Sequence, residues 1–346
     1  MKKEIISVLI ILSVFSAFTS CGKKTEEVAE VKEKIEKIEE EKPEEISEFY
    51  KTMQKDDRPI AVMIDNDEAK ARPQLGLESA YLVYEMTVEG GATRFMALFK
   101  DAALEKIGPV RSSRHYFLDY VIENDAIYVH AGWSNQAAQE ISSRNINNIN
   151  GLYENIFWRD YTYDKTWHNL YTGLDKAKEL AEKKGYRLKS DEKPFKYNKT
   201  DIVPEGKDGK ALDIPYTNFY KVRFEYDENE HMYKRFVNGA PHMSQTGEGL
   251  EAKNIIVYAL EDVPLNDGIY APRRNILNVG SGEGYYLTEG KALPIKWTKK
   301  DRSAKTEYTL ENGKELILNP GNTYIQIATK LTGYEVDFGE SEQQSE

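Results

Sequence analysis

The sequence predicts an α+β protein whose two halves are built differently. Residues 58–190 mix apolar runs of strand length with amphipathic helical segments on short connections, which is typical of a layered domain. Residues 216–330 instead show short alternating stretches between turn residues, which predicts mostly antiparallel β-structure. Residues 191–215 are the predicted connection, and the sheets of the two halves can still share one core.

The first half is predicted to hold four strands and three helices. The strands are expected at 59–64, 80–85, 93–99 and 126–131. The helices are expected at 113–123, with Ser112 or Ser113 as N-cap, at 135–143, and at 173–184, where Gly185 ends the last one.

The second half is predicted to hold eight short strands, separated by turn-forming runs such as those at 227–229 and 311–313. They are expected at 221–226, 233–237, 254–259, 276–279, 284–287, 293–297, 307–310 and 324–328.

The first residues have the pattern of a secreted lipoprotein. Two lysines precede the apolar run 5–18, and small residues stand directly before Cys21, the single cysteine of the chain. This predicts a lipoprotein signal over residues 1–21. Cleavage before Cys21 would leave this residue to carry lipid on the outer face of a bacterial membrane. An uncleaved transmembrane anchor is the alternative, but the run is shorter than the roughly 20 residues of an ordinary span.

The formal net charge of −11 lies mainly outside the body. Residues 22–57 are predicted to be a tether, and 23–57 alone carry 13 acidic and 8 basic side chains. The tail, 331–346, is predicted to be acidic and disordered. The body is therefore only mildly acidic, which argues against the basic face that a nucleic-acid partner requires.

Within the tether, apolar residues recur at 3-4-3 spacing beside many Glu and Lys, namely at Val28, Val31, Ile35 and Ile38. This pattern predicts either a solvated single helix or a short coiled coil, ended by Pro43.

Long motifs follow one another along the body. They are RPIAVMIDN at 58–66, ARPQLGL at 71–77, VYE at 83–85, VEGGATR at 88–94, IGPVRSSR at 107–114, HNLY at 168–171, EAKNIIV at 251–257, GSGEGY at 280–285, KW at 296–297, PG at 320–321 and YIQI at 324–327. In this order they resemble the YerB-like lipoprotein family of bacteria. The resemblance implies two tandem domains of unknown function, the first with sheet-sheet-helix layering, and it suggests work near peptidoglycan synthesis.

The sharpest polar cluster holds Arg111, Ser112 and Arg114 at the predicted helix entrance. Two guanidiniums beside outward N–H groups can hold a carboxylate or a phosphate. A structural network with Glu85 and Glu89 would explain the same arginines. The remaining predicted binding residues are Asn66, Arg94, Trp133, His168, Asn169 and Tyr171.

Three carboxylates are weak catalytic candidates. Glu85 and Glu89 lie four residues apart around a turn, and Asp65 can lie close to them. Such a pair can act as acid and base on a glycan, although carboxylates near Arg94 are more often salt-bridged.

A serine hydrolase and a zinc site have little support in the sequence. Ser112 and Ser113, although near His115 and His130, lie in neither a Gly-x-Ser-x-Gly nor a Ser-x-x-Lys motif. His130 and His168 lack the spacing of zinc ligands. We therefore expect no metal and no cofactor.

The aromatic segment, residues 133–171, suits stacking on sugars or contact with a protein. Its large aromatic residues are Trp133, Trp158, Tyr161, Tyr163 and Trp167, and we expect at least half of these to pack in the core.

These observations predict a non-catalytic envelope protein that binds a peptidoglycan synthase or a wall polymer. The first alternative is a wall-processing enzyme that cleaves or transfers glycan with its carboxylates. The second is a solute-binding lipoprotein, which usually shows two repeated lobes that are not visible in this sequence.

Overall fold

The computed structural model describes residues 46–67, 69–265 and 273–339. The signal peptide with Cys21, the tether up to residue 45 and the tail from residue 340 lie outside these residues. Across the described ranges, no helix is both long enough and apolar enough to cross a membrane.

The described residues form four α-helices and twenty-two strands, several of them only two residues long. The helices are α1 (Glu48–Gln54), α2 (Phe117–Glu123), α3 (Asn135–Ser143) and α4 (Leu174–Lys183). The strands up to the connection are β1 (Ile60–Asn66), β2 (Leu82–Thr87), β3 (Thr93–Phe99), β4 (Ile127–His130), β5 (Asn148–Asn150), β6 (Trp158–Arg159), β7 (Leu170–Tyr171) and β8 (Lys196–Tyr197). The later strands are β9 (Lys207–Asp208), β10 (Ala211–Ile214), β11 (Val222–Asp227), β12 (Met232–Val237), β13 (Ala240–Pro241), β14 (Glu251–Ala252), β15 (Asn254–Pro264), β16 (Arg274–Leu277), β17 (Gly280–Thr288), β18 (Lys291–Lys299), β19 (Glu307–Leu310), β20 (Ile317–Leu318), β21 (Thr323–Thr329) and β22 (Glu335–Asp337).

Twelve strands from both halves of the chain form one mixed sheet. Its order is β19-β18-β17-β15-β21-β2-β3-β1-β4-β5, with β16 on β15 and β9 on β18. The halves meet where β2 and β21 run parallel, with Val83 opposite Tyr324 and Glu85 opposite Gln326. A second, antiparallel sheet has the order β13-β12-β11-β10-β22, with β14 on β12.

The large sheet is buried on both faces, and β1 shows why its sequence reads as a continuous apolar run. Ala61 and Met63 face a core shared with α1, α2 and α3. Val62 and Ile64 face a second core shared with the antiparallel sheet and α4. Helices α1–α3 lie on one face of the large sheet, and the second sheet and α4 lie on the other, so the fold has three layers. The predicted α+β class with layered sheets and a mostly antiparallel C-terminal half is confirmed.

Helix α1 lies within the stretch that the sequence analysis assigns to the tether. Ser47 caps it by accepting a hydrogen bond from the Phe49 N–H group. Met53 is only 7% exposed, and the Phe49 ring lies 5.3 Å from that of Tyr197. Residues 47–54 therefore pack on the body, because Phe49, Tyr50 and Met53 all contact the buried core.

The helix expected from residue 113 begins only at Phe117, and the expected serine cap is wrong. The N-cap is Tyr116, which makes no side-chain cap bond. Residues 111–113 pair like a strand, since the Arg111 N–H donates to Met63 O and the Ser113 N–H to Gly132 O, and a turn at residues 115–116 follows. These N–H groups are already used inside the fold, so they do not form the anion-binding helix entrance that the sequence suggested.

Because one sheet spans both halves, a cavity at its centre is expected to weaken both. Ile325, on β21, is fully buried, so Ile325→Ala should lower the free energy of unfolding by about 2–5 kcal/mol. Chemical denaturation measures this loss, and hydrogen exchange should show β3 and β18 opening together. Ile317→Ala, at a side chain 46% exposed, is the matched control, and faster exchange in β18 alone would contradict a shared core.

Candidate functional site

The site residues named from the sequence gather around the carboxyl end of β1. Asp65 and Asn66 are its last residues, and Arg94 lies directly opposite Asp65 on β3. The segment that contains Arg111 runs along the other side, where Val110 bridges Ile64. Residues that are distant in sequence thus meet at one sheet end.

Asp65 organises the first cluster. Its Oδ2 accepts a hydrogen bond from His168 Nδ1 at 2.8 Å and forms an ion pair with Arg111 Nε at 2.9 Å. Its Oδ1 accepts the Asp67 N–H at 3.0 Å. Since the Trp167 indole N–H donates to His168 Nε2 at 2.5 Å, the imidazole is the neutral tautomer with its proton on Nδ1.

An exposed aromatic surface lies above this cluster. Trp167 is 64% exposed, with the Arg111 guanidinium 5.8 Å from its ring centre. Tyr161 and Tyr163 are also exposed, and their loop, residues 160–168, is fixed by local hydrogen bonds to Asp160 and Asp164.

The expected burial of at least half of the large aromatic residues in this segment is wrong. Tyr161, Tyr163 and Trp167 are exposed, and Trp133 and Trp158 are only partly buried. The 160–168 loop satisfies its backbone through Asp164 rather than through a strand partner, so its rings project outward.

A second cluster holds Arg114, Glu89 and Arg94. Arg114 Nε donates to both Glu89 oxygens, at 2.7 and 2.9 Å. Burial acts to raise the pKa of Glu89, but the hydrogen bond and charge of Arg114 outweigh it and hold that pKa below its ordinary value. Arg94 is almost fully buried and donates to the Ser112 carbonyl at 2.7 Å.

Glu85 lies in the interior and does not pair with Arg111 or Arg114. Its Oε2 accepts from Arg235 Nη2 at 2.8 Å, and both side chains are fully buried. Its Oε1 accepts from Tyr220 at 2.7 Å and from Thr93 at 2.8 Å. The Arg235 guanidinium also lies over the rings of Phe95 and Phe224.

This interior network extends to the end of β1. Asn66 Nδ2 donates to Glu85 Oε1 at 3.2 Å, and its Oδ1 accepts from Arg72 at 2.9 Å and from Gln74 at 3.1 Å. Burial and the charge of Arg235 hold the pKa of His242 well below its ordinary value. Neutral His242 can therefore accept from Arg235 and donate to Gln74.

The other named residues have structural partners. Asn169 is buried and accepts from Arg159, while its amide donates to Asp164 O at 3.0 Å. Tyr171 is buried and accepts from Gln245 at 2.7 Å. The Trp133 ring lies 5.8 Å from that of exposed Tyr153. These side chains position the site rather than open onto it.

The three candidate carboxylates, Asp65, Glu85 and Glu89, each hold a cation, which disfavours their use as free acid or base. Asp67 forms only a longer ion pair, at 3.9 Å, with the Arg111 that Asp65 also holds, and burial and the charge of Asp65 raise its pKa. Within the described ranges, no three His, Cys, Asp or Glu side chains are arranged to hold a metal.

Four residues of these clusters do not stand out in the sequence, namely Asp67, Arg72, Tyr220 and Arg235. The partners Glu85 and Arg235 are 150 residues apart, and no local pattern marks an interior arginine in an alternating strand. Asp67 was visible only as part of the turn after β1.

The fold and the site define a class of two-part α+β proteins in which strands of both halves share a sheet. Family models described as the N-terminal and C-terminal domains of a protein of unknown function (DUF3048) match residues 47–187 and 212–325.

A Bacillus subtilis (strain 168) protein, described as "Putative lipoprotein YerB", is 34% identical over 298 residues, which is 84% of this chain and 87% of the relative. The crystal structure of YerB from Bacillus subtilis matches with a TM-score of 0.71 and 32% identity, over 81% of this chain and 94% of that one. The chain belongs to the YerB-like, DUF3048 family.

Removing one partner of the interior ion pair should destabilise the protein strongly. Glu85→Gln leaves Arg235 buried without its counter-charge, so the free energy of unfolding should fall by about 3–5 kcal/mol. Glu85→Gln with Arg235→Met should recover part of that loss, since no buried charge remains unpaired. Urea denaturation of the two single variants and the double variant measures the coupling, and additive losses would contradict it.

His130 gives the protein an acid-sensitive step. Burial lowers its pKa to about 4, although hydrogen bonds to Gly132 and Asn148 act to raise it. Between pH 6.5 and 4 the unfolded chain binds a proton that the folded protein does not, so stability falls as the pH falls through this window, by roughly 3 kcal/mol. His130→Gln should lack this loss in denaturation measured at pH 7, 5.5 and 4. An unchanged acid slope in the variant would contradict it.

Proposed function

We propose that this chain is a lipid-anchored protein on the outer face of a bacterial membrane that acts by binding, and that its ligand is a polymer of the cell wall. The single observation that carries the proposal is the exposed Trp167, which bonds His168 and lies against the Arg111 guanidinium. The name of the Bacillus relative supports the anchor, as does the lipoprotein pattern that ends at Cys21.

The exposed rings favour a sugar ligand. Tyr161, Tyr163 and Trp167 offer flat apolar faces with polar edges, which is the surface on which sugar rings stack. Arg111 adds a partly exposed guanidinium that can bind an acidic group on the same polymer. Wall glycans and their peptide or phosphate substituents combine these two features.

The residues that hold Trp167 in place favour binding over catalysis. A stacking site gains affinity when its rings are held in place before the ligand arrives. The indole of Trp167 is fixed by His168, which is fixed in turn by Asp65. Asp65 is thereby occupied and is not free to abstract a proton.

A wall-processing enzyme remains a second candidate because of Asp67 alone. This carboxyl is partly exposed and has a raised pKa, which is the property of a general acid. The two functions differ in outcome, since an enzyme would release soluble fragments from sacculi and Asp67→Asn would abolish the release.

Binding to purified sacculi tests the proposal. Trp167→Ala should weaken retention of the full-length protein about tenfold, since one stacked ring is lost, with thermal stability unchanged. Adding Arg111→Ala should weaken retention further. Phe219→Ala, which removes a side chain 88% exposed outside this surface, is the matched control.

Equal retention of the Trp167→Ala variant and the wild type would refute this surface as the site. If sacculi retain none of these proteins, chemical cross-linking in native cells decides whether the partner is a peptidoglycan synthase instead.

A further inference from the structure

Arg94 is a buried cation with most of its hydrogen-bonding capacity unused. The residue is 5% exposed, and its Nη1 donates to the Ser112 carbonyl at 2.7 Å. Its Nε is buried and has no hydrogen-bond partner in the described part of the chain. No carboxylate among the described residues lies within ion-pair distance of it.

The neighbouring arginines do not relieve this shortage. Arg111 is paired with Asp65 at 2.9 Å, and Arg114 with Glu89 at 2.7 Å. Burial, together with the charge of Arg114, lowers the pKa of Arg94 to about 10, and the charges of Asp65 and Glu89 offset only part of this effect. A guanidinium has five N–H donors, and burying a charge without a partner is costly.

Arg235 shows how a buried arginine is compensated in this fold. Its Nε also lacks a hydrogen-bond partner among the described residues, but its Nη atoms bond Glu85, Tyr220 and His242. Arg94 differs because it has no ion-pair partner among the described residues, although it lies beside the partly exposed Arg111. A bound anion would supply the partner that the described residues lack.

We propose that Arg94, with Arg111 and Arg114 beside it, forms a receptor for an oxyanion, a phosphate or a carboxylate carried by the bound polymer. This inference rests on the proposed function and specifies the chemistry of its ligand. A guanidinium binds a phosphate and a carboxylate alike through two parallel hydrogen bonds, so the proposed ligand group is an oxyanion of either kind. A polyol phosphate chain and a peptide carboxylate are the two sources to distinguish.

Thermal unfolding of the full-length protein in added salts tests the receptor. Sodium phosphate or glycerol 3-phosphate should raise Tm in a saturable manner, relative to sodium chloride at equal ionic strength, because only the folded state binds. Acetate tested in the same way decides the source, since a response to acetate alone indicates a carboxylate ligand. No response to any of the three anions would overturn the proposal and leave ordered water as the partner of Arg94.

Arg94→Met separates a receptor from a structural arginine. In chloride its Tm should equal or exceed that of the wild type, because a buried unpaired charge is removed, and its response to the anion should be lost. A large drop in Tm in chloride, or an undiminished anion response, would refute the proposal. If Arg94→Met does not fold, Arg94→Lys should fold and bind the anion about tenfold more weakly, since a point charge replaces a planar fork.

Sacculi retention separates this inference from the proposed function. Retention that depends on Trp167 but not on anions or Arg94 would overturn the receptor alone. An anion response that needs Arg94, without any retention on sacculi, would support the receptor and overturn the polymer-binding function.

Discussion

Glu85 and Arg235 come from strands of two different sheets and form a fully buried ion pair in the interior. Removing two charges from water is costly, and the cost is offset when the pair has good geometry and further hydrogen bonds surround it. Tyr220 and Asn66 supply such contacts at Glu85 Oε1, so the pair fixes how the second sheet lies on the large one. Because Asn66 bonds Glu85, the carboxyl end of β1 is held in place by the same network.

The surface above β1 depends on that rigidity. Asp65 directly precedes Asn66, and it holds both His168 and Arg111, which in turn orient the exposed ring of Trp167. Hydrogen bonds join Asp65 to His168 and His168 to Trp167, and Arg111, paired with Asp65, lies over the Trp167 ring. The Trp167 ring is held in place before a ligand arrives, so it loses little conformational freedom on binding. This property supports the proposed binding role of the surface.

The arginines near this end differ in how they are compensated. Arg235, Arg111 and Arg114 each pair with a carboxylate, whereas within the described ranges Arg94 bonds only the carbonyl oxygen of Ser112. Sequence inspection could propose that arginines near 111–114 bind an anion or form a network. The structure shows that Arg114 pairs with Glu89, whereas Arg94 keeps N–H donors without a partner among the described residues.

The sequence by itself determined the α+β class, most strand positions and the family, because apolar periodicity and ordered motifs are local properties. It placed the helix of residues 117–123 too early and placed exposed rings in the core, because backbone partners and solvent exposure depend on distant segments. Only the tertiary structure decided that both halves share one sheet and that Glu85 pairs with Arg235. Such pairing is set by the packing of whole layers, and no pattern within one strand encodes a partner 150 residues away.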